Sequence, residues 1–309
     1  MRISILGVGA IGGLMAAQLA HSSHELHLHV RSESGAQMVL EGLELEGQSQ
    51  VVWPSDRFMF TMDSFEIPTQ YNGVSDVVIL ACKAHDVISL APIASILLKP
   101  DGVIFALSNG LGHVETLRAA AGADRVLAAT TTHGAFREAN GSIVWAGRGG
   151  VSLGSLPGGP SLDRAAPLIG TFEEVGLHPQ WRENAMAMIW EKVLLNVSIN
   201  PLAALSGLRN GELLESTLFN GCMMVFREAR QVGLCEGVSV MDELEFEAKL
   251  RRVLNTTFNN SCSMLEDMKA GRKTEIEHLN EAIARKAESH GLTCPLNQVL
   301  SSLVRACHP

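Results

Sequence analysis

The sequence predicts an α/β protein in which a doubly wound parallel sheet is followed by an all-helical C-terminal domain. Three observations lead there. Short β-branched runs alternate with helical patterns from residue 2 to about residue 182. Two of those runs, DVVILAC and GVIFALS, are apolar throughout, as parallel strands covered on both faces must be. Beyond Glu183 strand signals almost vanish and a 3.6-residue periodicity takes over. The 309 residues are about twice the usual length of one domain, and the change of pattern sets the expected domains at 1–182 and 183–309.

Taken in order, RISILG reads as the first strand, GGLMAAQLAHS as a helix and HELHLHV as the second strand; DVVILAC, GVIFALS and RVLAATT follow as further strands. After Thr131 the stretch SIVWAGRGGVSLGSL reads as a hairpin turning on Gly147, Gly149 and Gly150 and extending the sheet. A helix is expected at about 162–175. The second half carries AMAMIWEKVLLNVSIN, GELLESTLFNGCMMVFREARQVG, VMDELEFEAKLRRVLNTTFNNSCSMLEDMKA and TEIEHLNEAIARKAESHG, each at helical period. Pro201 is expected to end or kink the first of these, Gly271 to stand just past the third, and Thr274 with Glu277 to form a capping box opening the fourth.

Composition narrows the function classes. Hydrophobic residues make up 46% and charged residues 18%, enough apolar material for a buried core. With 24 Lys plus Arg against 33 Asp plus Glu, a formal charge of -9 and no basic run, nucleic-acid partners are disfavoured. Aromatics at 5% supply no stacking platform. The six cysteines form no CxxC pair and lie mostly in apolar runs, the usage of buried free thiols in a reducing compartment, so a cytoplasmic location is expected. Arg2 followed by an apolar stretch imitates a secretory signal, but Gly7, Gly9, Gly12 and Gly13 would break a signal helix, and no stretch is long enough to span a membrane.

The segment GVGAIGG places Gly7, Gly9 and Gly12 at GxGxxG spacing, directly after a strand and at the opening of a helix. The first glycine permits the tight turn, the second lets backbone N–H groups approach a pyrophosphate, and the third lets the helix pack close to the strand. This is the fingerprint of a Rossmann-type dinucleotide-binding unit. At the end of the second strand, where an NAD-preferring site carries Asp or Glu, stands Arg31 followed by Ser32. A guanidinium suits a 2′-phosphate, so NADP(H) is the expected cofactor.

In the helical half, Lys192, Asn196 and Asn200 recur at i, i+4 and i+8, on one face of a helix otherwise built of Trp190, Val193, Leu194, Leu195 and Ile199. Such a stripe is either a solvent face or a buried set of polar groups that a ligand completes. Several separated motifs then agree with one family. With GVGAIGG, CKAHD, SNGLG, TTTHGA, WEKVLLNVSINP, RNGEL, NSCSMLED and RKTEI in this order, the chain resembles the ketopantoate reductases (2-dehydropantoate 2-reductases) over nearly its whole length.

That resemblance implies an NADPH-dependent reduction of ketopantoate to pantoate, on the way to pantothenate and coenzyme A. It assigns Lys192 as general acid and Glu275 as its carboxylate partner. Asn196, Asn200, Asn210 and Ser263 would hold the substrate, Asn109 would serve substrate and nicotinamide, and Lys83 and Arg31 would contact the cofactor. The catalytic positions show no departure from the family pattern. Reduction of another 2-oxo acid and opine-type amine formation remain alternatives on the same fold, and a non-enzymatic NADP(H) sensor would have no need of Lys192 and Glu275. The expected partner is a small 2-oxo acid, with a homodimer left open by the amphipathic helices.

The stretch HSSHELHLH, with His21, His24, His27 and His29, lacks the Cys or carboxylate cluster that would complete a coordination set; no metal is expected. It reads instead as a helix end and turn entering the second strand, with His27 and His29 on one side of the sheet. Methionines 186, 188, 223, 224, 264 and 268 read as core filling.

Overall fold

The computed structural model describes residues 1–63, 67–215 and 217–307. By contacts the chain divides into two compact units, residues 1–108 with 112–185, and residues 109–111 with 186–309.

The first unit runs β1 (Arg2–Leu6), α1 (Ala10–Leu19), β2 (Glu25–Val30), α2 (Glu33–Glu41), β3 (Leu43–Gly47), β4 (Val51–Trp53), β5 (Phe58–Met62), β6 (Ser75–Leu80), α3 (Val87–Leu97), β7 (Leu98–Ala106), α4 (His113–Ala121), β8 (Val126–Thr131), β9 (Gly134–Arg137), β10 (Ile143–Gly147), β11 (Val151–Ser155), α5 (Leu162–Glu174) and β12 (Pro179–Trp181). Eight strands form the main sheet in the order β12-β11-β8-β7-β6-β1-β2-β5. The neighbours from β8 through β5 pair in parallel, and β11 joins β8 antiparallel. The chain therefore winds outward from β1 through β2 to β5, returns to β6, and winds the other way to β8. That reversal beside β1 is the switch point at which open α/β sheets bind ligands.

One face of this sheet builds the main core. Ile3 and Ile5, Leu26 and Leu28, Val77 and Ile79, Val103 and Phe105, and Leu127 and Ala129 alternate toward Leu14, Ala17, Leu168 and Phe172 of α1 and α5. Helix α1 is almost wholly buried because a second sheet, β4-β3-β10-β9, covers its outer side. The indole of Trp53 in β4 donates to the Ala17 carbonyl at 2.8 Å, and Gly13 leaves room for Ile143 of β10.

Here the expected hairpin needs correcting. The runs around Gly147 to Gly150 do form β10 and β11, but β10 pairs with β3 and β9 in the second sheet, and β11 pairs with β8 and β12 in the main one. The glycines carry the chain from one sheet to the other; Gly149 lies so close to Thr132 that an added Cβ would sit 2.4 Å from its carbonyl carbon. The alternating run LELEG and the run FMFTM, not read as strands from the sequence, supply β3 and β5.

The opposite face of the main sheet holds polar groups. Ser4 bonds His27 Nδ1 at 2.9 Å and Ser75 at 2.7 Å, and Thr61 Oγ1 bonds His27 Nε2 at 2.9 Å and His29 Nδ1 at 3.0 Å. Tyr71 stacks on His27 with centroids 4.6 Å apart. His27 and His29 thus do share a side, fully buried and mutually satisfied. His24 lies between the N-terminal amine and Thr171, and His21 packs edge-on against Trp53. Among the described residues no group of three or more His, Cys, Asp or Glu is placed to hold a metal ion, and no helix is long and apolar enough to cross a membrane.

The second unit is helical: α6 (Ala185–Ser206), α7 (Glu212–Glu215), α8 (Leu218–Cys235), α9 (Glu243–Thr256), α10 (Ser263–Lys269), α11 (Asn280–Ser289) and α12 (Pro295–Cys307). Residue 216, inside the second helical pattern, lies outside the described residues. Pro201 does not end α6. Its missing N–H strips Val197 of its helical donor, and Asn280 Nδ2 donates to the Val197 carbonyl at 3.0 Å in its place, so the helix continues to Ser206. The third expected helix is two: α9 stops at Thr256, and Cys262 caps α10 by accepting from Leu265 N. Gly271 does stand past α10, where Gly271 N donates to the Met268 carbonyl and Arg272 N to the Asp267 carbonyl. Thr274 and Glu277 form no capping box at α11. A 3-10 turn, Ile276–His278, intervenes, and Glu277 pairs with Lys273 at 3.0 Å. Of the methionines read as core, Met224 is exposed, and Cys235 and Cys307 are exposed free thiols.

Candidate active site

The glycine loop leaves β1 and enters α1 at the switch point. Gly7 takes φ +92° in contact with the chain after β6: an added Cβ would fall 2.8 Å from Cys82 Cβ. At Gly12 it would fall 1.9 Å from the Gly7 carbonyl oxygen, so the helix can start this close to the strand only without a side chain. At Gly9 it would meet nothing within 4 Å. Two glycines are thus required by the protein's own packing, while the middle one borders open space at the N-terminus of α1, where backbone N–H groups and the helix dipole favour an anion. The residues fit a dinucleotide pyrophosphate.

Arg31 follows the last residue of β2, and its Nη2 lies 2.5 Å from Asp86 Oδ2. Burial works to lower the Arg31 pKa, but the Asp86 carboxylate more than offsets it and the guanidinium is held above its ordinary value. Ser32 caps α2 by accepting from Gly35 N at 3.1 Å. Lys83 precedes the 3-10 turn Ala84–Asp86, on the chain leaving β6.

The second unit assembles a different chemistry. Lys192 lies on α6 with little of its side chain exposed, and burial pushes its pKa down from 10.5 to about 8, opposed by the carboxylate of Glu275. Glu275 is 5% exposed, and Asn109 Nδ2 donates to its Oε2 at 2.9 Å. Asn109 reaches it because the following residues are tied down: Leu111 N donates to the His278 carbonyl at 2.9 Å, and Gly110, at φ +87°, passes that carbonyl where a Cβ would clash at 2.4 Å. A half-buried cation, a buried carboxylate and an orienting amide, from positions 192, 275 and 109, form one cluster.

The remaining expected residues are distributed less tightly. Asn196 and Asn200 continue the Lys192 face of α6, Asn196 partly exposed and Asn200 buried. Asn210 is buried; its Nδ2 donates to Thr257 Oγ1 at 3.0 Å, and its Oδ1 has no hydrogen-bond partner among the described residues. Ser263, the first residue of α10, is exposed. Sequence reasoning missed the Arg31–Asp86 pair and the Asn109–Glu275 bond. The signal available for the second was the glycine pair in SNGLG, which marks a sharp return of the chain after β7.

Residues 3–158 match the family described as Ketopantoate reductase PanE/ApbA, and residues 184–308 match its C-terminal part. The 2-dehydropantoate 2-reductase of Halobacterium salinarum is 31% identical over 309 residues, covering 99% of this chain and 98% of that protein. That of Archaeoglobus fulgidus is 29% identical, covering 98% and 97%. Among solved structures, a PanE/ApbA family ketopantoate reductase from Ralstonia eutropha superposes with TM-score 0.85 at 28% identity, covering 100% of this chain and 98% of that one. D-mandelate dehydrogenase, solved with NADH and anilino(oxo)acetate, superposes with TM-score 0.91 at 25% identity and the same coverage.

Proposed function

The chain belongs to the ketopantoate reductase PanE/ApbA family, and from that premise we propose that it is an NADPH-dependent reductase converting 2-dehydropantoate to pantoate, a step toward pantothenate and coenzyme A. The observation that carries this reading is the half-buried Lys192 set beside the buried Glu275, which Asn109 orients. A lysine ammonium that gives up its proton near pH 8 is expensive to bury for structure alone and well matched to general acid catalysis.

When bound, a nicotinamide cofactor supplies the hydride that the keto carbon accepts. Gly7, Gly9 and Gly12 would hold its pyrophosphate, and Arg31 and Lys83 its phosphate-bearing end. As the carbon accepts the hydride, negative charge grows on the keto oxygen, and Lys192 Nζ donates its proton there. Glu275 keeps the lysine protonated against the penalty of burial, and Asn109 fixes the carboxylate by occupying one of its oxygens. Asn196, Asn200 and Ser263 supply amide and hydroxyl donors for the substrate carboxylate, and the Oδ1 of Asn210 offers an acceptor for a substrate hydroxyl.

One observation supports a second reading. D-mandelate dehydrogenase matches the whole chain at 25% identity, beside 28% for the ketopantoate reductase from Ralstonia eutropha, so a 2-oxo acid with an aromatic side chain is the second substrate class. A panel of 2-oxo acids assayed for NADPH oxidation decides between them. A kcat/KM for 2-dehydropantoate more than about tenfold above that for aromatic 2-oxo acids supports the first reading, a margin of the size pocket shape can set. The opposite order supports the second, and no turnover of any 2-oxo acid removes both.

A further inference from the structure

We infer that Asp86 sets the discrimination between NADPH and NADH, by occupying the Arg31 guanidinium and holding a fixed negative charge where a 2′-phosphate has to bind. The inference deepens the proposed function and rests on its reading of Arg31 as the residue on the phosphate-bearing side of the cofactor. It concerns only residues of the first unit.

The geometry is specific. Arg31 stands at the end of β2 and Asp86 at the end of the 3-10 turn that follows β6, so the pair bridges two loops at the switch point. The Asp86 side chain is 14% exposed and that of Arg31 36%, so the carboxylate is the more enclosed partner. Asp86 is the residue before α3 yet makes no side-chain capping bond there, which leaves the pairing with Arg31 as its main engagement through Oδ2. His85 Nε2 lies 3.5 Å from the other oxygen, and Asp63, just past β5, adds a second carboxylate facing Arg31 while bonding His29 at 3.3 Å.

Two rules that normally sort Rossmann-type sites therefore meet in one place. An arginine at the end of the second strand recruits a 2′-phosphate, while a carboxylate in that region accepts a ribose hydroxyl and repels the phosphate. Here the arginine is present with a carboxylate already on its fork. A dianionic 2′-phosphate must share the guanidinium with Asp86, whereas a ribose 2′-hydroxyl can donate to Asp86 with no such conflict. Arg31 alone predicts a strict preference for NADPH; the pair predicts a weak one, with Asp86 as the counterweight.

The test is direct cofactor binding to the full-length protein, read by the change in NADPH or NADH fluorescence, for the wild type, Asp86→Asn and Asp86→Glu, with melting temperatures alongside. Asp86→Asn removes the charge and should lower the Kd for NADPH by about tenfold while leaving that for NADH unchanged or weaker. Asp86→Glu keeps the charge and should leave the ratio of the two Kd values near that of the wild type. A ratio unmoved in Asp86→Asn, or equal weakening of both cofactors, contradicts the inference, because a merely structural role affects both alike. Failure of the underlying reading is visible separately, in the wild type: binding of NADH alone removes Arg31 as a phosphate ligand under native conditions. The inference is then judged by whether Asp86→Asn creates NADPH binding.

Discussion

The polar cluster behind the first unit's sheet and the cluster around Lys192 in the second are built differently. In the first, Ser4, Ser75, His27, His29 and Thr61 form a chain of neutral groups on one face of the sheet, with each member bonded to another. In the second, a half-buried lysine stands beside a buried carboxylate, with one amide to orient it. Neutral groups that satisfy one another cost little to bury and stabilise the fold; buried charges cost several kcal/mol and survive where chemistry needs them. The contrast separates structural polarity from functional polarity without reference to sequence relatives.

The largest effect should come from Lys192→Met, which keeps the aliphatic stem and removes the charge. Turnover should fall ~10²–10⁴-fold, the share a positioned acid contributes. Stability should shift only modestly, because the ammonium's own burial penalty is removed while Glu275, 5% exposed, loses its cation. Because the Lys192 pKa is about 8 when folded against 10.5 ordinarily, folding at neutral pH buries a charge that the unfolded chain keeps solvated. That penalty, up to about 3 kcal/mol, is present in full below pH 8, fades as pH rises from 8 to 10.5 and is gone above 10.5. Denaturation of the variant at pH 7 checks the balance, and a loss of several kcal/mol would mean that the pair is held for stability, erasing the contrast between the clusters.

Next in size, Gly9→Ala should weaken cofactor binding by about tenfold or more, since backbone approach to the pyrophosphate is lost. Its melting temperature should hold, because the added Cβ meets nothing within 4 Å. Gly12→Ala should instead unsettle the fold itself, with its Cβ 1.9 Å from the Gly7 carbonyl oxygen. Thr61→Val should cost about 1–3 kcal/mol by leaving His27 Nε2 and His29 Nδ1 without their partner, with kinetics unchanged.

A further effect is acid sensitivity. Burial, with the neighbouring His29 adding to it, pushes His27 down from 6.5 to about 4. The folded state therefore refuses a proton that the unfolded chain accepts. Stability present above pH 6.5 should decline as pH falls toward 4, by an amount that Thr61→Val alters and Lys192→Met leaves alone.

What the sequence made legible follows the range of the interactions. The glycine loop was readable because all its parts lie within seven residues and the strand before and the helix after it are local patterns. The alternation of strands and helices placed most of the parallel sheet for the same reason. The Lys192–Glu275–Asn109 cluster, by contrast, joins positions far apart in the chain, and its members were assigned through resemblance. The crossing at Gly147 to Gly150 was misread because two adjacent strand patterns with a glycine turn look alike whether they pair with each other or part into separate sheets. Pro201 misled because its cure, the Asn280 amide on the Val197 carbonyl, comes from a distant helix. The fold of the first unit is written locally; the chemistry of the second is written in tertiary contacts.

The central claim is that Lys192 acts as a proton donor kept charged by Glu275. The pH dependence of kcat for 2-oxo acid reduction, in the wild type and in Glu275→Gln, tests it most directly. The account predicts a wild-type rate that falls as pH rises through about 8, and a fall displaced to lower pH once the carboxylate is gone. A wild-type profile level between pH 7 and about 10, or a descending limb that Glu275→Gln leaves in place, would contradict it.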